Sequence, residues 1–245
     1  MKNKKTLRIL AIITLIVIFS AGVAVAYFWA IGGESEPSYP EPEPEPCLDC
    51  DGDFDDSWDR IEIKKPVIYL YPEEEMEVEV KLGAPEKIAV DYPDYNGGWK
   101  VLAQPDGTLT MNGKKYYSLY YEADTEQMDL NCAGFVVAKD DVEKFLEKKL
   151  ELLGLNYRER EEFITYWAKD LEKSNYAFIR FMPRDEIDAE MPLTVSPAPD
   201  TTIRIIMQFK NLDEYIELDE QELTPVERTG FTVVEWGGVD LGKWY

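Results

Sequence analysis

Two glutamates, Glu122 and Glu235, stand out because each lies two residues beyond an aromatic or apolar residue of the same strand face. If those faces point inward, desolvation raises the glutamate pKa values, as a general acid requires. Two such carboxyl groups roughly 5–10 Å apart are the pattern of glycoside hydrolysis. The alternative is that each glutamate pairs with an arginine, such as Arg180 or Arg204, and does no chemistry.

A loop of aromatic and small polar residues spans positions 91–99 and carries Tyr92, Tyr95 and Trp99. Rings beside small polar residues can stack on sugars or grip a peptide, so these three are candidate ligand-binding residues. Rings next to proline and Gly97-Gly98 also commonly plug the end of a β-sandwich. The sequence leaves both readings open and favours the plug.

Cys47 and Cys50 form a C-x-x-C motif directly after a proline-rich stretch. No βαβ pattern surrounds the motif, so a local disulfide in an oxidising compartment is favoured over redox chemistry. A four-cysteine zinc site is excluded, because Cys132 is the only other cysteine in the chain.

A calcium site is the one cofactor that the acidic run after Cys50 suggests. Counting from its first aspartate, acidic or hydroxyl residues occupy all six ligand positions of an EF-hand loop. The candidate ligands are Asp51, Asp53, Asp55, Asp59 and Glu62. However, the sixth position is Asp56 instead of the glycine that the turn needs, and no helix precedes the run. A solvated charge run without any cofactor is therefore the favoured interpretation.

Composition excludes several classes of function. The 245-residue chain has no histidine, which rules out imidazole bases, Ser-His-Asp triads and histidine-bound zinc. The net charge is −23, and residues 66–245 carry −18 of it, whereas residues 1–33 carry +4. The electrostatic field of such a negatively charged protein repels phosphate backbones, so a nucleic-acid partner is not expected.

A membrane anchor is predicted at residues 9–31, which contain no charged residue. A helix of this length spans a hydrocarbon core of about 30 Å. The basic flank at residues 1–8 places the N-terminus in the cytoplasm and the rest of the chain outside. The alternative is a signal peptide cleaved after Ala24-Val25-Ala26, which exports the same residues.

The domain organisation follows from these segments. Residues 1–8 are the cytoplasmic tail, 9–31 the transmembrane anchor, 32–65 an acidic linker rich in proline and glutamate, and 66–245 the extracytoplasmic domain. Alternating proline and glutamate at 40–46 favours extended polyproline II, which holds the domain off the membrane.

The domain is predicted to be α+β, a mostly antiparallel sheet or sandwich with a packed αα-hairpin. Strands are predicted at 66–72, 76–82, 99–104, 108–111, 115–122, 177–182, 193–195, 203–209 and 231–236. Tight turns at 105–107 and 112–113 make a meander of the third to fifth strands. The first helix has Asp140 as its N-cap and ends at Gly154, and the second begins near Asn156.

Four long stretches resemble a family of uncharacterised, exported bacterial proteins with a KPVIYLYP-type opening and a GFTVVEWGG-type close. They are KPVIYLYP at 65–72, YPDYNGGWKVLAQPDGTL at 92–109, LGLNYREREEFITYW at 153–167 and RTGFTVVEWGG at 228–238. The resemblance covers nearly all of residues 65–238 and implies one domain, because the motifs bracket the whole region. The family has no assigned reaction.

The anchor, the stiff spacer and the missing catalytic signature favour a membrane-tethered binding or interaction module of the cell envelope. Its expected partner, besides the membrane, is an envelope protein or a glycan. The alternative is an extracytoplasmic hydrolase, acting on glycans through Glu122 and Glu235.

The predicted topology places a C-terminal epitope tag outside the cell, because the only basic flank lies at residues 1–8. We expect protease added to intact cells to remove the tag, while a cytosolic control protein stays intact. A tag that is cut only after the cells are lysed contradicts this topology.

Overall fold

The computed structural model describes residues 61–125 and 133–242. This part of the chain forms twelve strands and three α-helices. The strands are β1 Ile61–Tyr71, β2 Met76–Leu82, β3 Ile88–Tyr92, β4 Trp99–Ala103, β5 Leu109–Met111, β6 Lys114–Tyr116, β7 Leu119–Thr125, β8 Phe135–Ala138, β9 Tyr176–Phe181, β10 Leu193–Ser196, β11 Thr201–Leu212 and β12 Thr232–Asp240. The helices are α1 Val142–Leu152, α2 Tyr157–Leu171 and α3 Arg184–Glu190.

The strands form two sheets, and almost all neighbouring pairs are antiparallel. The larger sheet has the order β3-β7-β1-β12-β11-β9-β8, and the smaller has the order β10-β2-β4-β5-β6. Only the pair β11 and β12 is parallel among the described strands. The predicted α+β class with mostly antiparallel sheets is confirmed for this part of the chain.

Alternation along the strands of the larger sheet sends side chains to two separate cores. On the inner face, residues such as Ile68 and Val233 pack with Val80 and Trp99 of the smaller sheet. On the outer face, residues such as Trp236 pack with the two long helices α1 and α2. The fold therefore has three layers: the smaller sheet, the larger sheet and the helical hairpin.

Local signals explain the meander and the helix ends. Asn112 and Gly113 both have positive φ angles and join β5 to β6, as a tight hairpin turn requires. Gly154, with φ of 89°, ends α1 through the bonds Gly154 N–H to Glu151 O and Leu155 N–H to Leu150 O. Asn156 and Glu159 form a capping box at the start of α2, as predicted for Asn156.

Other expectations were wrong. Asp140 does not cap α1, because it lies in a 3₁₀ turn that precedes the helix. The strand predicted at 115–122 is two strands, β6 in the smaller sheet and β7 in the larger, so the chain changes sheets at Tyr117-Ser118. Strands β3 and β8 and helix α3 were not predicted, since all three are short.

The linker and the anchor are described in part or not at all. The linker was predicted at 32–65. Strand β1 begins at Ile61, so residues 61–65 belong to the strand. The predicted anchor at 9–31 lies outside the described residues. None of the described helices has the length and hydropathy needed to cross a membrane.

Gly237 and Gly238 allow three elements to meet at the centre of the larger sheet. A Cβ on Gly237 would lie 3.0 Å from the backbone nitrogen of Pro66, where β1 shifts register between Lys64 and Val67. A Cβ on Gly238 would lie 2.8 Å from the ring of Trp167 on α2. Backbone and indole therefore occupy the space that any side chain here would need.

We expect Gly238→Ala to lower the free energy of unfolding by about 1–3 kcal/mol, because the added methyl must displace Trp167 or the Met207 carbonyl. Urea unfolding at pH 7 measures the change. Gly242→Ala is the control, since its nearest neighbour is the Asp240 side chain at 3.3 Å, and it should change stability by less than about 0.5 kcal/mol. Equal effects of the two substitutions would contradict this account.

Candidate functional site

Glu235 lies on the inner face of β12 and is completely buried. The Tyr121 hydroxyl donates to its Oε1 at 2.6 Å, and Arg204 Nε donates to its Oε2. The predicted arginine partnership is thus confirmed for Arg204, whereas Arg180 instead donates to Gln208 and Glu186. Glu235 is the acceptor in a buried ion pair.

Glu122 lies on the opposite, outer face of the larger sheet. Its neighbour on that face, Tyr120, pairs with Val67 of the outer core, whereas Glu235 pairs with Ile68 of the inner core. The Tyr120 hydroxyl donates to Glu122 Oε1. The sheet therefore separates the two glutamates, and the structure does not bring them together across one scissile bond.

A row of polar side chains crosses the inner layer at Glu235. It runs from Tyr121 on β7 through Glu235 and Arg204 to Asp188 on α3. Burial and the charge of Glu235 raise the pKa of Tyr121 well above its usual value, so its hydroxyl stays a donor. The row pairs the buried charges of Glu235 and Arg204 with each other and is closed to solvent on the β12 side.

The aromatic loop has two buried rings and one exposed ring. Tyr95 and Trp99 are buried, with ring centroids 4.8 Å apart. The Trp99 indole donates to Pro93 O at 2.6 Å, and the Tyr95 hydroxyl bonds both backbone groups of Leu82. These two rings plug the space between the sheets, as the sequence favoured. Tyr92, in contrast, is 63% exposed.

Tyr92 belongs to a second cluster of rings, here named the tyrosine face, on the outer side of β3, β7 and β1. The backbone of Tyr92 pairs with that of Tyr120 across β3 and β7, and the Tyr92 ring lies against that of Tyr116 on β6, with centroids 5.6 Å apart. Helix α2 reaches β1 through the contact of Glu162 with Tyr69, whereas Tyr92 and Tyr117 at this end of the sheet are exposed. The tyrosine face consists of Tyr69, Tyr71, Tyr92, Tyr117, Tyr120 and Tyr166.

The centre of the tyrosine face is held by contacts between β1 and α2. The rings of Tyr69 and Tyr71 are stacked, with centroids 6.3 Å apart, and Tyr117 lies 6.4 Å from Tyr69. The Tyr69 hydroxyl donates to Glu162 Oε2 at 2.6 Å. The Arg228 guanidinium lies 4.8 Å from the Tyr71 ring centroid and donates to a buried carboxylate, that of Glu159.

Lys65 forms one end of the tyrosine face and has an unusual backbone. Its φ is 55°, a left-handed value, at the register shift of β1. Its ammonium lies 4.3 Å from the Tyr166 ring centroid and 5.6 Å from that of Trp236. Burial lowers the pKa of Lys65, and the charge of Glu162 opposes that shift. The shifted register thus directs this side chain towards α2.

The electrostatics of the tyrosine face suit binding better than proton transfer. Burial, reinforced by Glu162, raises the pKa of Tyr69 far above its usual value. Burial, reinforced by Glu159, raises the pKa of Tyr71. Both hydroxyls therefore remain protonated and act as hydrogen-bond donors, and neither can serve as a base at neutral pH.

Of the predicted metal and disulfide residues, Glu62 lies in the described part of the chain. Cys47, Cys50, Asp51, Asp53, Asp55 and Asp59 lie outside the described residues. Glu62 lies in β1 and its backbone pairs with Asp124, so a strand stands where an EF-hand would have its second helix. Within residues 61–125 and 133–242 there is no cluster of three or more Cys, Asp or Glu that could hold a metal ion.

No single sequence motif indicates the tyrosine face, although all four quoted stretches supply residues to it or beside it, and stretch 92–109 supplies Tyr92. Stretch 65–72 supplies Lys65, Tyr69 and Tyr71, stretch 153–167 supplies Glu162 and Tyr166, and stretch 228–238 supplies Arg228 and Trp236. The available signal was the polar stripe at positions 158, 162 and 166, four residues apart on α2.

Comparison with known proteins adds one relative. No protein-family model and no solved structure matches the chain. Over 63 residues it is 40% identical to an uncharacterised protein in the bglA 3′ region of Butyrivibrio fibrisolvens. The match covers 24% of this chain and 66% of the relative, so the chain spans just under two thirds of the relative's length. The resemblance to an exported bacterial family stays a prediction.

Acid should remove the contribution of Asp188 to stability. Burial raises the pKa of this carboxyl, but the Arg204 and Arg184 guanidinium groups outweigh burial and hold it below the ordinary 3.8. A carboxyl with a lowered folded-state pKa contributes stability above the unfolded pKa and loses it as pH falls through the folded value. We therefore expect Asp188→Asn to be less stable than the unmodified protein at pH 7, with the difference shrinking as the pH falls below 3.8.

Urea unfolding at pH 7, 5, 4 and 3 measures this difference. Asp185→Asn is the matched control on the same helix, since Asp185 is exposed, and it should show little difference at any pH. A stability difference for Asp188→Asn that stays constant over this range would rule out the ionic contribution.

Proposed function

We propose that the chain is a membrane-tethered, extracytoplasmic binding module of the cell envelope, and that the tyrosine face binds a glycan. The observation that carries the proposal is the open end of the larger sheet, where Tyr92 is 63%, Tyr117 66% and Tyr166 37% exposed. Large exposed rings grouped on one surface usually mark an interaction site.

The chemistry of the tyrosine face supports a sugar ligand. Aromatic rings offer flat apolar surfaces, and phenol hydroxyls and carboxylates beside them offer donors and acceptors for hydroxyl groups. Contacts such as Tyr69 to Glu162 and Arg228 to Glu159 fix these groups before a ligand arrives. Preorganisation of this kind reduces the entropy cost of binding.

The location rests on the sequence. The uncharged segment 9–31, its basic flank and the proline–glutamate spacer at 40–46 support a single-pass anchor with the domain outside the cytoplasm. In that position the tyrosine face would be accessible to envelope glycans and separated from cytoplasmic molecules by the membrane.

A binding role is favoured over the carboxylate-pair hydrolase. Glu235 is buried in an ion pair with Arg204, and Glu122 lies on the other face of the sheet. A glycosidase needs both carboxyl groups on the two sides of one bond.

We expect the full chain, purified in detergent, to bind solubilised cell-wall glycan fragments in a glycan array or by calorimetry. Tyr92→Ala and Tyr117→Ala should each weaken binding about 5–10-fold, because each removes a ring contact of roughly 1 kcal/mol. Tyr215→Ala is the matched control, since Tyr215 is 61% exposed and packs against Tyr176 away from the tyrosine face.

Binding that Tyr215→Ala leaves unchanged and the other two substitutions weaken would support the proposal. No binding to any glycan, or equal loss in all three variants, would show that the tyrosine face is not a glycan site.

A further inference from the structure

Arg204 on β11 is fully buried, yet one of its nitrogens has no partner. Its Nε donates to Glu235 Oε2, and its Nη1 donates to Asp188 Oδ1 at 2.6 Å. Among the described atoms nothing accepts from Nη2. A buried guanidinium nitrogen without an acceptor lowers the stability of the folded protein, and such unpaired nitrogens are rare in native proteins.

A small cavity lies beside this guanidinium. Arg204 and Tyr121 line it together with apolar side chains, among them Met182, Ile187 and Met191. It has room for about one water-sized group. Glu190 is also at its edge and is ion-paired with Lys87 at 3.3 Å. The cavity therefore offers a small apolar space next to one cationic donor.

Helix α3 places the carboxylate of Asp188 against the Arg204 guanidinium. The Asp188 side chain is 41% exposed and bonds both Arg204, inside, and Arg184, at the surface. It contacts Arg204 through Nη1, although a carboxylate and a guanidinium can form two parallel bonds through both η nitrogens. Asp188 therefore accepts one of the two hydrogen bonds that the η nitrogens of Arg204 could donate to a carboxylate.

We propose that Arg204 is a binding site for a short aliphatic carboxylate, and that Asp188 is its internal occupant. The external carboxylate takes the place of Asp188 and bonds Nη1 and Nη2 together, and its short alkyl group fills the space that the Asp188 side chain leaves together with the adjoining cavity beside Ile187 and Met191. The exchange replaces one negative charge by another, so the ion pair with Glu235 and the local charge balance are kept. The Asp188 side chain is already 41% exposed, so it turns to solvent as the external carboxylate enters.

The test uses the full chain and Asp188→Ala, with sodium propionate as probe and sodium chloride at equal ionic strength as reference. Removal of the internal carboxylate should lower the propionate Kd about tenfold relative to the unmodified protein, and propionate should raise the Tm of the variant. Asp188→Ser serves if the alanine variant does not fold. Asp185→Ala, with an exposed residue of the same helix, should bind as the unmodified protein does.

The guanidinium NMR signals of Arg204 locate the bound probe. They should shift on titration of both the unmodified protein and the Asp188 variant. Three results would each overturn the proposal: no propionate binding by the Asp188 variants, equal affinity in all variants, or shifts confined to residues other than Arg204 and its neighbours. Binding by the variant with none by the unmodified protein would also overturn it, because Asp188 would then not yield its place.

Discussion

The close approach of β1, β12 and α2 at Gly237 and Gly238 is the constraint on which the rest of the structure depends. Two residues without side chains let the shifted register of β1 lie against β12 from one side and Trp167 press on the backbone from the other. The register shift gives Lys65 its left-handed backbone, and it is where Lys65 turns towards Tyr166 and Trp236. The outer core and the tyrosine face thus share one anchoring point.

The smaller sheet covers one face of the larger sheet and the helices cover much of the other, so alternation along the strands decides the surroundings of each polar residue in it. Odd-numbered positions of β12 around Glu235 face the inner layer, where a carboxylate is tolerated only with donors such as Arg204 and Tyr121. The outer face holds Glu122 at the open edge, where only Tyr120 is needed as a partner. One sheet therefore carries a closed ionic network on one side and an accessible aromatic surface on the other.

The two faces suggest different kinds of work. The tyrosine face is broad, partly exposed and preorganised, which suits an extended polar ligand. The Arg204 position is narrow and closed by a single short helix, which suits a small charged group. Both depend on residues held by strands of the same sheet, so the geometry of each is set by the core packing and not by flexible loops.

The sequence by itself determined the class of fold, the meander turns, the end of α1 and the start of α2. These features depend on local signals: alternation, Asn-Gly turns, a capping asparagine and a terminal glycine. It also anticipated that Glu235 would meet an arginine and that Tyr95 and Trp99 would plug the sheets. Only the tertiary structure decided that Glu122 and Glu235 face opposite ways, because the pairing of β7 and β12 with β1 sets the face on which each side chain lies. Likewise, the tyrosine face joins positions 65–71, 92, 117–120 and 166, and strand pairing and helix packing bring such distant residues together in ways that no local pattern encodes.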